Sequence, residues 1–217
     1  MKWPILLGKG RNQPTTGRWH DWKQIIADDC EGRCIYCAIG EARFGGIRNF
    51  HIEHLRPKLR FPHLENDIRN LYLACAICNV LKCDDWPAEP APDHSLPTYP
   101  DPSLVDYNSL FTLLTSSHEV SSHTVAGTYV IERMLLNRSQ LILERRLSSF
   151  YALAAEFSEW LDASLPILTT DELRDAVAIL NRISKAQGTL ATARPYLDIE
   201  TKRPKKRRAK RNKRNPS

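Results

Sequence analysis

No apolar run in this 217-residue chain approaches the ~18–20 residues that span a bilayer. The opening residues, MKWPILLGKGRNQP, have only a short apolar stretch before Gly8 and Lys9. They lack the apolar segment of about 7–15 residues that marks a secretory leader. No GxxxxGK[ST] phosphate-binding loop occurs, so any control by a nucleotide would have to come from another chain. No internal repeat is present either. A cytoplasmic protein is expected, in a compartment where thiols stay reduced. Its six cysteines are then read as metal ligands before disulfides.

Acidic residues are missing from one segment. Residues 201–217, TKRPKKRRAKRNKRNPS, hold ten of the 31 Lys and Arg and no Asp or Glu. The remaining 200 residues carry 21 basic and 25 acidic side chains, so the net charge of +6 describes the tail and not the body. The tail has the composition of a disordered basic arm, suited to salt-sensitive nucleic-acid affinity or simply to solubility. The body, with 42% hydrophobic and 26% charged residues in the whole chain, can build an ordinary core.

The chain divides by composition. Residues 1–28 read as an irregular strap ending in a short helix over HDWKQIIADD, with Trp22, Ile25 and Ile26 inward. Residues 29–86 hold the cysteines. Within them IRNFHIEHL, residues 47–55, roughly alternates like a strand after the Gly45-Gly46 turn, with Ile47, Phe50, Ile52 and Leu55 facing in. LYLA, residues 71–74, reads as a strand or a helix entry, and CAICNVLKCDD as a short helix. Residues 87–123 are a Pro-rich connector and irregular region, with six prolines between positions 87 and 103. Residues 124–200 are strongly helix-forming. Val130, Ile131, Met134 and Leu135 fit one face of a first helix. Ser139 is placed to cap a second, whose apolar positions run from Ile142 and Leu147 to Phe157 and Leu161. Thr169-x-x-Glu172 fits a capping box for a third, and Gly188 suits its end. The expected fold class is α+β: a small metal-centred module followed by an all-α region.

Cys34-x-x-Cys37 and Cys75-x-x-Cys78 form two knuckles separated by 37 residues. Four thiolates at this spacing match a closed structural zinc site. Cys30 and Cys83 lie outside the pattern and are read as spectators. The rival readings are buried free cysteines acting as small hydrophobes and a redox pair; the second is weakened because neither CxxC follows a strand in a βαβ unit. A zinc here would hold residues 38–74 as a closed loop and supply folding energy directly.

Inside that loop stands HIEHLRPK, residues 51–58. Together with NLYLACAICNVLK, residues 70–82, it resembles the HNH endonuclease motif, a ββα-metal fold whose four-cysteine variant carries a zinc. The resemblance covers about residues 30–85. Its IEH-x-RPK core and the segment GTYVIERMLLNRSQLILERR, residues 127–146, are most similar to the HNH subunit of Septu-type and retron-linked anti-phage systems. The resemblance implies hydrolysis of DNA phosphodiester bonds with a catalytic Mg²⁺ or Mn²⁺, a defence role, and a separate ATPase partner.

The chemistry such a site needs can be assigned to residues. His54 is the expected general base, since an imidazole titrates near neutral pH. Glu53 and Asn79 are oxygen donors suited to a hard divalent ion. The resemblance gives Asn70 the role of orienting the base. Arg56, Lys58 and above all Lys82 are expected to hold the phosphate backbone. Two departures from the family pattern stand out: Glu53 occupies a position usually held by Asp or His, and Asn79 closes the motif where His is also common. A non-catalytic zinc-stabilised module that binds nucleic acid or protein would use the same cysteines and the same tail.

Overall fold

The structure is a computed structural model, and it describes residues 2–191. The basic tail and the last residues assigned to the helical region lie outside the described residues. Helix and two small antiparallel sheets make up the fold.

The strap enters through Trp3 and Leu6, both buried, and turns through a 3-10 segment, Trp19–Trp22, into helix α1, Lys23–Asp29. Trp22 and Ile26 are inward as expected, but Ile25 is 46% exposed. The two neighbouring isoleucines both lie in α1, where consecutive side chains point about 100° apart, so they do not share the inward face.

The expected strand over 47–55 is shorter. Ile47–Asn49 is a 3-10 turn, and strand β1 is Phe50–His54. It pairs antiparallel with β2, Leu71–Cys75, in the register Phe50↔Cys75 to His54↔Leu71. Every residue of β2 is buried, which explains its near-continuous apolar run. Helix α2, Ala76–Lys82, follows without a linker. The two strands and this helix form a ββα unit.

The Pro-rich connector is irregular but not free. It contains helix α3, Tyr107–Leu110, and a two-stranded ribbon, β3 Thr112–Leu113 with β4 Val120–Ser121. Tyr99 and Tyr107 from this region are fully inside. Helix α4, Val125–Arg133, is capped by Thr124, whose hydroxyl accepts from the Gly127 N–H. Leu135 was expected on its apolar face, but the helix has ended by then. Leu135 sits at φ 48° and is 42% exposed, while Leu136 takes the buried place.

Helix α5 spans Ser139–Ser164, and its N-cap is Arg138 rather than Ser139, in extended conformation. Its first turns bury Leu141 and Leu147, but beyond them the helix leaves the body, with Tyr151, Leu153 and Trp160 exposed. Helix α6, Thr170–Ala191, packs on α5. The Thr169–Glu172 capping box is present: the Thr169 N–H and hydroxyl both donate to Glu172 Oε2, at 2.8 and 2.7 Å. Gly188 does not stop the helix, because a glycine in αR geometry only weakens it.

One apolar core runs from Trp3 and Trp22 through β1, β2, the cysteines, Tyr99 and Tyr107 to Met134 and Leu141. The strap, the connector and α4 therefore pack on the same interior as the ββα unit. No described helix is long and apolar enough to cross a membrane.

Candidate active site and zinc centre

The Cys34–Cys37 knuckle is a tight loop. The Ala38 N–H donates to the Cys34 carbonyl, with Ala38 at φ 60°, and the Cys34 N–H donates to the Ile39 carbonyl. The Ile35 N–H hooks the loop onto β2 at the Leu73 carbonyl. Cys75 ends that strand, and Cys78 follows in the first turn of α2. The Sγ atoms of Cys34, Cys37, Cys75 and Cys78 thus lie within 4.8 Å of one another, all buried.

Cys37 Sγ and Cys75 Sγ are 3.8 Å apart. A tetrahedron with Zn–S bonds of about 2.3 Å has an edge of about 3.8 Å, so this pair is at the spacing of a zinc tetrahedron and the cluster is compatible with structural zinc. Cys30 stands apart, its sulfur accepting from the Leu73 N–H at 3.4 Å, and Cys83 is exposed.

A zinc with four thiolates would carry a net −2 charge in a buried place. Two arginines answer it, Arg138 half-buried and Arg145 buried. Arg138 Nη2 is 3.9 Å from Cys78 Sγ. Burial works against the Arg138 charge, but the thiols of Cys78, Cys37 and Cys75 outweigh it and push its pKa up. Arg145 is 2% exposed and donates to the Leu136 and His118 carbonyls; burial pulls its pKa down to about 10, and Cys37 only partly opposes that fall. Both arginines belong to the start of α5, far outside the cysteine motif. Nothing in the local sequence marked either of them.

Glu53 and His54 are consecutive on β1, so their side chains leave on opposite faces. Glu53 is 4% exposed. Its Oε1 accepts from Lys82 Nζ at 2.9 Å and from the Tyr36 hydroxyl at 3.3 Å. Its Oε2 carries no hydrogen bond among the described residues. Burial raises the Glu53 pKa, and the Lys82 charge together with both hydrogen bonds opposes that rise.

His54 Nε2 is 3.0 Å from the Glu65 carbonyl. A carbonyl only accepts, so Nε2 must bear the hydrogen, which leaves Nδ1 with the lone pair in the neutral ring. Burial lowers the His54 pKa, with Lys58 and Lys82 adding to the effect and Glu65 opposing it. That shift favours the neutral ring. Trp19 from the strap packs edge-on against it, with centroids 5.2 Å apart at 74°. Lys58 sits over the Trp19 ring at 4.4 Å and pairs with Glu65 at 3.5 Å.

Glu53, His54 and Asn79 line one open groove of about 1130 Å³. Trp19, Lys58, Arg60, Asp85, Tyr129 and Arg133 line it as well. Two oxygen donors beside a neutral imidazole are the donor chemistry a hard divalent ion takes, so the residues fit such an ion.

Two expected roles change. Asn70 does not meet His54. Its Oδ1 accepts from the Arg56 N–H at 2.8 Å, and its Nδ2 donates to the Arg56 and Leu64 carbonyls. It clamps the loop that presents Glu65, so its hold on the imidazole is indirect. Lys82, expected to grip phosphate, is wholly buried. It donates to the His54 carbonyl at 3.2 Å and lies against Tyr99, with its charge spent on Glu53. Of the other expected phosphate contacts, Arg56 pairs with Glu89 and Asp101, and Lys58 with Glu65. His51 is exposed on the strand.

Residues 34–85 match the HNH endonuclease family model. No curated protein and no solved structure matches the chain. The HNH match begins at the first zinc-knuckle cysteine and ends at Asp85, on the rim of the groove. Several residues around the groove or the cluster fall outside it, among them Trp19, Trp86, Tyr129, Arg133, Arg138 and Arg145. The HNH domain carries a four-cysteine cluster and is followed by the helical region.

Proposed function

We propose that the chain is a metal-dependent HNH endonuclease that hydrolyses DNA phosphodiester bonds. The observation that supports this reading is that His54, with Nε2 set against the Glu65 carbonyl, lines the same groove as the oxygen donors Glu53 and Asn79, within the segment that carries the four cysteines.

In this reading the Glu65 carbonyl fixes the His54 tautomer, and Nδ1 accepts a proton from the attacking water. Glu53 and Asn79 hold the divalent ion. When bound, that ion stabilises charge on the scissile phosphate and the departing oxygen. Trp19 keeps one side of the imidazole dry, which keeps His54 neutral. The four-cysteine zinc fixes the distance between the knuckle and α2 and takes no part in the reaction.

The finer likeness of EHLRPK and residues 127–146 to Septu-type and retron-linked subunits supports a role in anti-phage defence beside a separate ATPase. Co-purification with the product of a neighbouring gene tests that part by itself.

One observation favours a second reading, a non-catalytic zinc module that binds nucleic acid or protein: Glu53 is already neutralised by Lys82. Plasmid nicking separates the two. Zinc-loaded protein with Mg²⁺ or Mn²⁺ should nick supercoiled DNA, and His54→Ala should abolish nicking while keeping its fold and its zinc. Salt-dependent binding with no cleavage under either ion would establish the second reading instead.

A further inference from the structure

The residue before the second cysteine of the first knuckle is Tyr36. It is fully buried, and its surroundings leave it little freedom. Its carbonyl accepts from Trp3 Nε1 at 2.9 Å, and its ring meets Tyr99 at 5.9 Å and 65°. The cysteines on either side, Cys34 and Cys37, are tied into the cluster. A buried hydroxyl needs a partner, and this one donates to Glu53 Oε1.

We infer that Tyr36 is a positioning residue for the divalent-ion site: with Lys82 it holds one oxygen of Glu53, so that the other oxygen is the one offered to the ion. The inference rests on the reading of Glu53 as an ion ligand. It also accounts for a departure from the family pattern. Glutamate is one methylene longer than aspartate and has one more torsion to fix. Two donors on Oε1 fix it, and a fixed single oxygen suits an ion that takes few protein ligands and keeps several waters. The zinc knuckle thereby sets the geometry of a second metal site through one phenol. Tyr36 is a cleaner probe of this than Lys82, because removing its hydroxyl leaves no charge unpaired.

The test is a Mn²⁺ titration of full-length, zinc-loaded protein, following free Mn²⁺ by electron paramagnetic resonance. Parent, Tyr36→Phe, Glu53→Asp and the double variant are compared, with zinc content and circular dichroism measured for each. Tyr36→Phe should keep its zinc and fold and bind Mn²⁺ about tenfold more weakly, as outer-sphere substitutions do. Glu53→Asp, whose shorter carboxylate withdraws from the phenol, should also weaken binding. The double variant should be no weaker than Glu53→Asp alone.

A parent protein that binds no Mn²⁺ would overturn the ion reading itself. A parent that binds, with Tyr36→Phe within about twofold of it, would make Tyr36 an ordinary core residue. Should Tyr36→Phe lose zinc, Glu53→Asp decides, because it leaves the knuckle intact: unchanged Mn²⁺ affinity there would overturn the inference.

Discussion

Lys82 Nζ lies 2.9 Å from Glu53 Oε1, with the lysine side chain sealed from solvent and the glutamate 5% exposed. Removing one partner of such a pair leaves an uncompensated buried charge, a loss of about 3–5 kcal/mol. Lys82→Met should therefore destabilise the zinc-loaded protein by that order in urea unfolding. Adding Glu53→Gln to it should restore most of the loss. If the double variant is as unstable as the sum of the two single ones, the pair is not coupled as the geometry says.

Arg138 approaches Cys78 from a helix far along the chain. Losing that cation should loosen the zinc. Arg138→Gln should release zinc to a chromophoric chelator faster than the parent, by about tenfold if it behaves as an outer-sphere partner. Arg146→Gln, at an exposed position eight residues further along α5, is the control and should release at the parent rate. Equal rates for all three would remove Arg138 from the zinc site.

Asp85 ties α4 to the rim of the groove. Its Oδ2 accepts from the Tyr99 and Tyr129 hydroxyls and pairs with Arg133 at 3.1 Å. Burial alone would raise its pKa, but these three partners outweigh burial and hold it below the usual carboxylate value. As pH falls, the unfolded chain therefore takes up the proton first. The stability Asp85 contributes is complete above its unfolded pKa of about 3.9 and is lost as pH drops through the lower folded value. Asp85→Asn should be less stable than the parent at pH 7, with the gap closing below about pH 4. A gap that stays constant across an acid titration followed by circular dichroism would count against this account.

The charges around the groove are largely matched, with Lys58 on Glu65, Arg56 on Glu89 and Arg133 on Asp85. Affinity for a polyanion is then expected to come from residues 201–217, with their ten basic side chains. Deleting that segment should flatten the slope of log affinity against log salt, which reaches about −0.9 per phosphate neutralised on duplex DNA. Nicking at saturating DNA should persist. An unchanged slope would assign the electrostatics to the folded body.

The parts of the site that the sequence made legible are those written in local spacing. The CxxC pairs, the adjacency of Glu53 and His54, and the passage from β2 to α2 are all short-range patterns with a physical cause. The partners of those residues were not legible, because tertiary packing alone brings them near. Glu53 and Lys82 are 29 positions apart, and Cys78 and Arg138 are 60 apart. The role given to Lys82 failed for a related reason: a lysine beside a phosphate site and a lysine beneath one look the same in a motif. The helix ends were misjudged where a single residue was weighed alone. Ser139 and Gly188 have the right chemistry for a cap and a stop, but the backbone turned one residue earlier at Arg138 and continued to Ala191.

The continuity of the core bears on how the protein can be divided. A polypeptide trimmed to residues 34–85 would lose Trp3 and Trp22 from one side of the interior, Tyr99 and Tyr107 from another, and the two arginines that face the cysteines. The segment that matches the family model is therefore smaller than the body that shares one core. The buried core itself reaches from the strap to the early turns of α5.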